Sequence, residues 1–327
     1  MAIIADHAPQ PGSRLRLKAM LSKLGLLLVI LVFVAVMSFL SPAFLTIANF
    51  KNLFIQSTIL AVLALGQTYV IMTRGIDLSV GGVMALSSAL CIGLTVYNGI
   101  PVALSLLIAL AIGAGVGLLN GFSVTRIGIT PLIVTLATLS MARGATFVYT
   151  NGANITPVPD VVAAFGRGEI FGIPYSVVLL AILALICNAV LARSIFGRSV
   201  YATGGNEVAS RLAGIATDRI IVITYVISGL MAAVAGLVLT ARLESAGPRA
   251  GVGIELTVIA ACVIGGASLF GGQGSIIGTL LGVALISLVS NAINLLGVPP
   301  AWDDLVKGVV IFAAAVVDVY RRKYARS

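Results

Sequence analysis

Residues 102–123 read VALSLLIALAIGAGVGLLNGFS and contain no charged side chain. A helix of this length spans about 30 Å at 1.5 Å per residue, which is the thickness of the hydrocarbon core of a bilayer. Continuous apolar runs of this kind indicate membrane-spanning helices, whereas a membrane β-barrel shows short segments of alternating polarity. This stretch therefore predicts an α-helical membrane protein.

The composition of the whole chain agrees with this prediction. Of its 327 residues, 59% are hydrophobic and only 9% are charged, and the mean hydropathy is +1.14. An average soluble protein has roughly 25% charged residues. The chain has too few polar residues to cover the surface of a soluble domain, so the soluble globular class is excluded.

Apolar segments recur along the chain and predict about ten transmembrane helices. They lie at residues 24–41, 54–73, 78–97, 102–123, 129–149, 174–192, 220–240, 256–269, 275–296 and 305–319. The eighth and the tenth are short, and short spans in such proteins lie tilted or broken inside the bundle. The predicted organisation is a tail at 1–23, a membrane domain at 24–319 with a polar loop at 193–219, and a tail at 320–327.

The distribution of lysine and arginine predicts the orientation. With the N-terminus inside and ten spans, fourteen of these residues fall on the cytoplasmic side, four fall outside, and two lie within spans. Cytoplasmic loops carry the excess of positive charge in membrane proteins. An odd number of spans would place the basic C-terminus outside, so both termini are predicted to be cytoplasmic.

The sequence shows no pattern of a metal site, a cofactor site or an enzyme. Cys91, Cys187 and Cys262 lie far apart in apolar runs, which is typical of buried small hydrophobes, and the one histidine is His7. No phosphate-binding glycine loop or catalytic motif occurs. The net charge of +9 is not arranged with aromatic residues as a nucleic-acid surface would be.

Two hexapeptides resemble each other across a wide separation. Residues 75–80 read GIDLSV and residues 253–258 read GIELTV, and each opens a predicted span. Because five spans separate them, they would enter the membrane from opposite sides, as two inverted halves do. Glycine followed by an acid and branched apolar residues is also common at the start of any helix. Both interpretations remain open from the sequence.

Acidic and uncharged polar residues in or near the spans are the candidates for a transport passage. They could line a path for a neutral hydroxylated solute, or could make interhelical hydrogen bonds worth about 0.6 kcal/mol each. Asp77 is the acid best placed to hold a coupling ion, although a helix dipole would also stabilise it there. The candidate set is Asp77, Ser79, Asn120, Thr135, Glu255, Thr257, Asn291 and Asn294.

The loop at 193–219 contains a short segment whose two ends are marked. Asn206 is a suitable N-cap, Glu207 suits the positive end of the helix dipole, and Gly214 suits a left-handed position after the last turn. Val208 and Leu212 share one face of this helix. That apolar pair predicts either a protein partner or contact with lipid headgroups.

Four separated blocks resemble the ribose/xylose/galactose-type permease subunits of bacterial ABC sugar importers. They are GGNEVASRLAGI at 204–215, GIDLSVGG at 75–82, the stretch from Asn120-Gly121 through TPLIVTL at 130–136 to Arg143-Gly144, and GIELTVIAACVIGGASLFGGQGS at 253–275. NLLGV at 294–298 and the short basic tail match as well, so the resemblance covers nearly the whole chain.

The resemblance implies a vitamin-importer-like permease in the bacterial inner membrane, with two copies forming the passage. It also implies a cytosolic ABC ATPase and a periplasmic sugar-binding protein as partners. In that family the loop matching Asn206–Ile215 couples to the ATPase, so Asn206, Glu207, Val208, Arg211, Leu212 and Gly214 are expected to form a docking element. The transported solute would be a monosaccharide. The alternative is a stand-alone secondary carrier or channel for a small neutral polar solute.

Overall fold

A computed structural model describes residues 11–299, 301–303, 305–309, 312, 313 and 316. Up to Leu295, the described residues form twelve α-helices and two two-residue strands. In chain order they are α1 (Pro11–Leu40), α2 (Ile47–Met72), α3 (Val80–Asn98), α4 (Val102–Phe122), α5 (Pro131–Thr150), α6 (Asp160–Arg167), β1 (Glu169–Ile170), β2 (Ile173–Pro174), α7 (Tyr175–Arg193), α8 (Ile195–Gly205), α9 (Glu207–Leu212), α10 (Thr217–Leu243), α11 (Ile254–Ile264) and α12 (Ile276–Leu295).

The chain is a polytopic helical membrane protein. Seven of the described helices, α2 to α5, α7, α10 and α12, are long and apolar enough to cross a bilayer. Two shorter apolar stretches, Leu24–Leu40 of α1 and the whole of α11, correspond to the first and eighth predicted spans. The tenth predicted span, 305–319, lies partly outside the described residues, and its described positions are helical.

Several boundaries differ from the predicted ones for local reasons. Helix α1 begins at Pro11, inside the predicted tail 1–23, because the Leu, Arg, Lys and Ala residues there favour a helix. Helix α2 begins at Ile47 because the Thr46 hydroxyl accepts a hydrogen bond from the Asn49 N–H and caps it. Residues 1–10 and 320–327 lie outside the described residues.

Helix α2 is at the centre of the bundle and is the most buried of the long helices. Its side chains are buried from Thr58 to Met72, and it packs against α7, α10, α11 and α12. Helices α4 and α7 lie at the periphery and expose most of their surface. Cys91, Cys187 and Cys262 are free and buried, as predicted for small hydrophobes.

Glycines bring α4 and α10 into close contact. A Cβ atom at Gly113, Gly117 or Gly121 would overlap backbone atoms of α10, whereas one at Gly115 would meet no atom within 4 Å. The first three residues are four apart and therefore lie on one face of α4. Small residues at this spacing let membrane helices approach closely, where lipid provides no hydrophobic drive between them.

A short hairpin follows α6 and separates it from α7. Strands β1 and β2 are antiparallel and are joined by Phe171 and Gly172, whose φ angles are 52° and 79°. Positive φ at both central residues is the geometry of a type I′ turn. Phe171 is fully exposed at the tip.

Candidate coupling and translocation sites

The ends of α9 are capped at the residues predicted from the sequence. The Asn206 side chain accepts a hydrogen bond from the Ala209 N–H at 3.0 Å. After the last turn, Gly214 adopts a φ of 85°, and the Ile215 N–H donates to the Ser210 carbonyl at 3.0 Å. These bonds satisfy backbone groups that a six-residue helix would otherwise leave unpaired.

Arg211 fixes α9 against the start of α10. Its Nη2 donates to Glu207 Oε1 at 3.0 Å, to Thr217 Oγ1 at 3.1 Å and to Asp218 Oδ1 at 2.7 Å. A two-turn helix is too short to persist alone in water, so these contacts matter for its presence. The loop 193–219, predicted to hold one short helix, contains both α8 and α9.

Val208 and Leu212 form an exposed apolar face on α9. Val208 is 71% exposed and Leu212 is 86% exposed, and no side chain of the described residues covers them. Burial of such side chains is favourable by about 1.5–3 kcal/mol each, so the face favours contact with another surface.

Arg74 joins the end of α2 to the end of α8. Its Nε donates to the Gly204 carbonyl at 2.7 Å, and its Nη2 donates to the Gly205 carbonyl at 2.5 Å. The Gly272 N–H donates to the Met72 carbonyl at 2.9 Å. A Cβ atom at Gly204 would overlap both the Met72 carbonyl and the Gly272 nitrogen, so the three chain segments meet backbone to backbone. This junction lies directly before α9.

The glycine-rich turn at 271–274 connects α11 to α12. Gly271 and Gly272 have φ angles of 78° and 72°, which L side chains rarely adopt. The Tyr201 hydroxyl of α8 donates to the Gly274 carbonyl at 2.9 Å. The turn therefore packs against α8.

Residues 73–79 double back along α2 before α3 begins. With the Gln67 amide oriented to satisfy both groups, it donates to the Asp77 carbonyl at 3.1 Å and accepts from the Asp77 N–H at 3.2 Å, although Gln67 lies five residues before the end of α2. An extended segment inside a bundle must have its backbone groups satisfied by side chains of other elements. Helix α3 therefore starts within the bundle and not at its surface.

Four of the eight predicted passage residues meet around this segment. The Asp77 carboxylate accepts from the Ser79 N–H at 2.9 Å, from Ser79 Oγ at 2.6 Å and from Ser228 Oγ at 2.7 Å. Asn120 Nδ2 donates to Ser79 Oγ at 3.0 Å. Thr135 Oγ1 donates to the Pro131 carbonyl of its own helix at 2.9 Å and also lies 3.3 Å from the Ile76 carbonyl of this segment. All of these residues are buried. In this conformation they bond to one another and do not border an open passage.

Arg143 and Glu255 form an ion pair between α5 and α11. Arg143 Nη2 lies 3.3 Å and 3.4 Å from the two oxygens of Glu255. The predicted fifth span, 129–149, contains Arg143, and α5 continues seven residues beyond this arginine, to Thr150. A Cβ atom at Gly81 would overlap Glu255 Oε2, so the first turns of α3 and α11 are in direct contact.

The remaining predicted passage residues are dispersed. Asn291 and Asn49 exchange two side-chain hydrogen bonds of 2.7 Å and 3.1 Å and so tie α12 to α2. Thr257 is partly exposed on α11, and Asn294 is exposed in the last turn of α12. The reciprocal amide pair is the interhelical bonding that the sequence allowed as an alternative.

Ion pairs also fasten α6 and the hairpin to the long helices. Arg167 of α6 pairs with Glu244 at the end of α10, and Lys51 of α2 pairs with Glu169 at 2.8 Å. The hydrogen bond from Arg167 lowers the pKa of the Glu244 carboxyl. Both pairs are well exposed and contribute little to stability.

Sequence reasoning missed two residues of these sites. Arg74 was counted only as a cytoplasmic charge, and Ser228 was not considered. Their partners lie 130 and 151 residues away in the chain, respectively, so no local pattern reports them.

Comparison with known proteins gives consistent matches along the chain. The ribose import permease protein of Bacillus subtilis is 43% identical over 95% of this chain and 97% of its own length. The ribose import permease protein of Escherichia coli K12 is 42% identical over 94% of this chain and 97% of its own length. The D-allose transport system permease protein of the same strain is 35% identical over 90% of this chain and 91% of its own length.

A family model described as the permease component of branched-chain amino acid transport systems matches residues 49–315. This range contains α2 from its third residue and every later described span, together with α9, the polar residues around Asp77 and the Arg143–Glu255 pair. It confirms the resemblance drawn from the four sequence blocks. The chain therefore belongs to this family of transport-system permease components.

Proposed function

We propose that this chain is the membrane-spanning subunit of an ATP-driven importer of the bacterial inner membrane, and that it carries a ribose-type monosaccharide delivered by a periplasmic binding protein. The observation that carries the proposal is the 42–43% identity to ribose import permeases over nearly the full length of both chains. Relatives named for D-allose and autoinducer 2 are 35–36% identical. A pentose is therefore the first substrate to test.

In this proposal α9 docks a cytosolic ABC ATPase. The support is its construction: both ends are capped, Arg211 fixes it to α10, and Val208 and Leu212 are presented outward. An exposed apolar pair on a rigid short helix is a good anchor for a pocket on a partner protein. The docking residues are Asn206, Glu207, Val208, Arg211, Leu212 and Gly214.

The proposed architecture has ten spans, two inverted halves and cytoplasmic termini, and two copies form the working unit. Lysine and arginine asymmetry supports the orientation. The contact between Gly81 and Glu255 supports the inverted relation, because the two related hexapeptides then begin helices that meet inside the bundle. Broken helices that meet near the bilayer midplane are typical of inverted repeats.

The proposed passage uses the eight predicted polar residues, with the segments Asp77–Ser79 and Glu255–Thr257 as its gate. The buried polar residues around Asp77 would become accessible to the solute only when α3 moves. Thr257 is partly exposed, so it offers the cleaner test. We expect Thr257→Trp to block uptake without loss of assembly and Thr257→Ser to leave uptake unchanged. Full uptake by Thr257→Trp would show that the segment Glu255–Thr257 does not line the passage.

The function can be tested in a bacterial strain that lacks its own ribose uptake. The chain is expressed alone, with the ATPase, with the binding protein, or with both, and labelled ribose entering the cells is measured. We expect uptake only when both partners are present. Uptake by the chain alone would favour the secondary carrier or channel. If the chain with both partners imports another sugar but not ribose, the proposed substrate is wrong and the assignment as an importer stands.

A further inference from the structure

The Arg143–Glu255 pair contains Glu255, the most buried side chain of the ion pairs in the described part of the chain, at 12% exposure. Arg143 is the thirteenth residue of the twenty in α5, so it lies about 18 Å along that helix. Glu255 lies in the first turn of α11, where it touches Gly81 at the start of α3. The other described ion pairs join α9, the hairpin, α6 or residues beyond α12.

This pair is held loosely. Its two N···O distances, 3.3 Å and 3.4 Å, exceed the usual range for N–H···O bonds, and both involve the same arginine nitrogen. Arg143 Nε is buried and has no hydrogen-bond partner among the described residues. The side chains are 25% and 12% exposed. Hydrogen-bonding capacity is therefore left over on the guanidinium, and part of the pair can be reached from outside the protein.

The exposed side of the pair should face water or a polar solute. Charged side chains within the membrane almost always face the bundle interior or a water-filled cavity, because hydrocarbon does not solvate them. Open space adjoins the pair: a Cβ atom at Gly144 or at Gly253 would meet no atom within 4 Å. Ser140 lies one turn from Arg143 on α5 and is exposed. Exposed side chains on these parts of α5 and α11 include the apolar Met141 and Leu256, so Ser140 and the partly exposed Thr257 are the polar groups that a ligand beside the pair would meet.

We propose that Arg143 and Glu255 contact the transported sugar; this rests on the proposed function and adds a binding site to it. The guanidinium fork donates to two adjacent hydroxyl oxygens, and the carboxylate accepts from a third hydroxyl. The pair has no net charge, which suits a neutral polyol. The ion pair can re-form and compete with the sugar for both side chains. The sugar is therefore bound only transiently, as transport requires.

The test uses the complex of two permease copies, the ATPase and the binding protein, with ribose as the probe. In the double variant Arg143→Met/Glu255→Gln no charge is left unpaired, so assembly should persist. We expect its maximal uptake rate to fall by about tenfold or more, as the loss of a hydrogen bond to a charged group would produce. The half-saturating concentration should hold, since the binding protein sets it. Lys51→Met/Glu169→Gln removes an exposed pair elsewhere and serves as the matched control.

A charge-swapped variant, Arg143→Glu/Glu255→Arg, separates sugar contact from a structural role. A structural pair would recover both assembly and uptake, whereas a sugar contact recovers assembly alone. As a second measurement, ribose under turnover should slow maleimide labelling of Gly144→Cys but not of Phe171→Cys. Normal uptake in either double variant would overturn the inference. A rate of Gly144→Cys labelling that is the same with and without ribose would also overturn it. Failure of the unmodified complex to import ribose would instead reject the proposed substrate.

Discussion

Leu212 leaves 86% of its surface exposed on a helix of only six residues. The local geometry of α9 comes from other residues: the Asn206 cap, worth about 1 kcal/mol, and the contacts of Arg211 with Glu207 and Asp218. Exposed ion pairs of this kind add only about 0.2–1 kcal/mol each. Since Leu212 contributes little to folding, its apolar surface is available for binding.

Leu212→Asp should therefore separate docking from folding. We expect the variant to insert and to keep its free energy of unfolding within about 0.5 kcal/mol, because surface substitutions rarely change it more. Its association with the ATPase should weaken by about tenfold or more, the effect of losing one buried leucine from an interface. Co-purification of the complex measures this.

The matched control is Val161→Asp on α6, since Val161 is also about 71% exposed but lies far from α9 in the chain. If Leu212→Asp and Val161→Asp associate with the ATPase equally well, α9 is not part of the docking surface.

At the scale of elements, the sequence predicted uniform apolar helices well and irregular segments poorly. Helices α4, α5 and α7 begin and end within two residues of their predicted limits, because apolar length alone decides them. Helix α8 was not predicted, because its eleven residues mix polar and apolar side chains and are too few to form a span. Its packing against α7 and α10 decides its structure. The path of residues 73–79 depends on Gln67 and Ser228, which no local pattern connects to Asp77.

Among the elements, α4 and α10 provide a direct test of close packing. Gly117→Ala would place a Cβ atom against the α10 backbone and should cost about 1–3 kcal/mol in unfolding free energy. Gly115→Ala faces open space on the same helix and should be neutral or stabilising, by up to about 1 kcal/mol. Thermal unfolding in detergent compares the two. A similar change of unfolding free energy in both variants would show that contact with α10 does not govern the effect.

The junction at Arg74 links α2, α8 and the glycine-rich turn, and it should transmit movement of α9 to the spans. We expect Arg74→Ala to assemble with the ATPase and to hydrolyse ATP, but to import less sugar per ATP, because two bonds to the Gly204 and Gly205 carbonyls are lost. Arg126→Ala is the control, since Arg126 is exposed four residues after the end of α4. An unchanged ratio of sugar to ATP in Arg74→Ala would contradict this role.

Across the whole molecule, one continuous set of contacts connects the exposed face of α9 to the interior. It runs from α9 through the end of α8 to Arg74 and the end of α2. From there residues 73–79 lead to the start of α3, which touches Glu255 of α11 through Gly81. The sequence predicted the two ends of this path, α9 and the paired hexapeptides, but not the contacts that join them, because those are non-local.

The orientation of the molecule can be tested with single added cysteines. Val208→Cys and Phe171→Cys both place a thiol at an exposed position, and the three native cysteines are buried and should label slowly. In intact spheroplasts we expect a membrane-impermeant maleimide to label Phe171→Cys at once and Val208→Cys only after lysis. Labelling of both positions before lysis would contradict the ten-span orientation.

ATP-driven ribose import is tested most directly by the ribose concentration gradient that the purified proteins establish across a liposome membrane. The permease is reconstituted with the ATPase facing a medium that contains ATP, and the binding protein and labelled ribose are enclosed on the other side. We predict that ribose becomes more concentrated on the ATPase side, and that omitting ATP or the binding protein abolishes this accumulation. If ribose equilibrates through the permease without ATP, or accumulates only when an ion gradient is applied, the chain is not the permease of an ATP-driven importer.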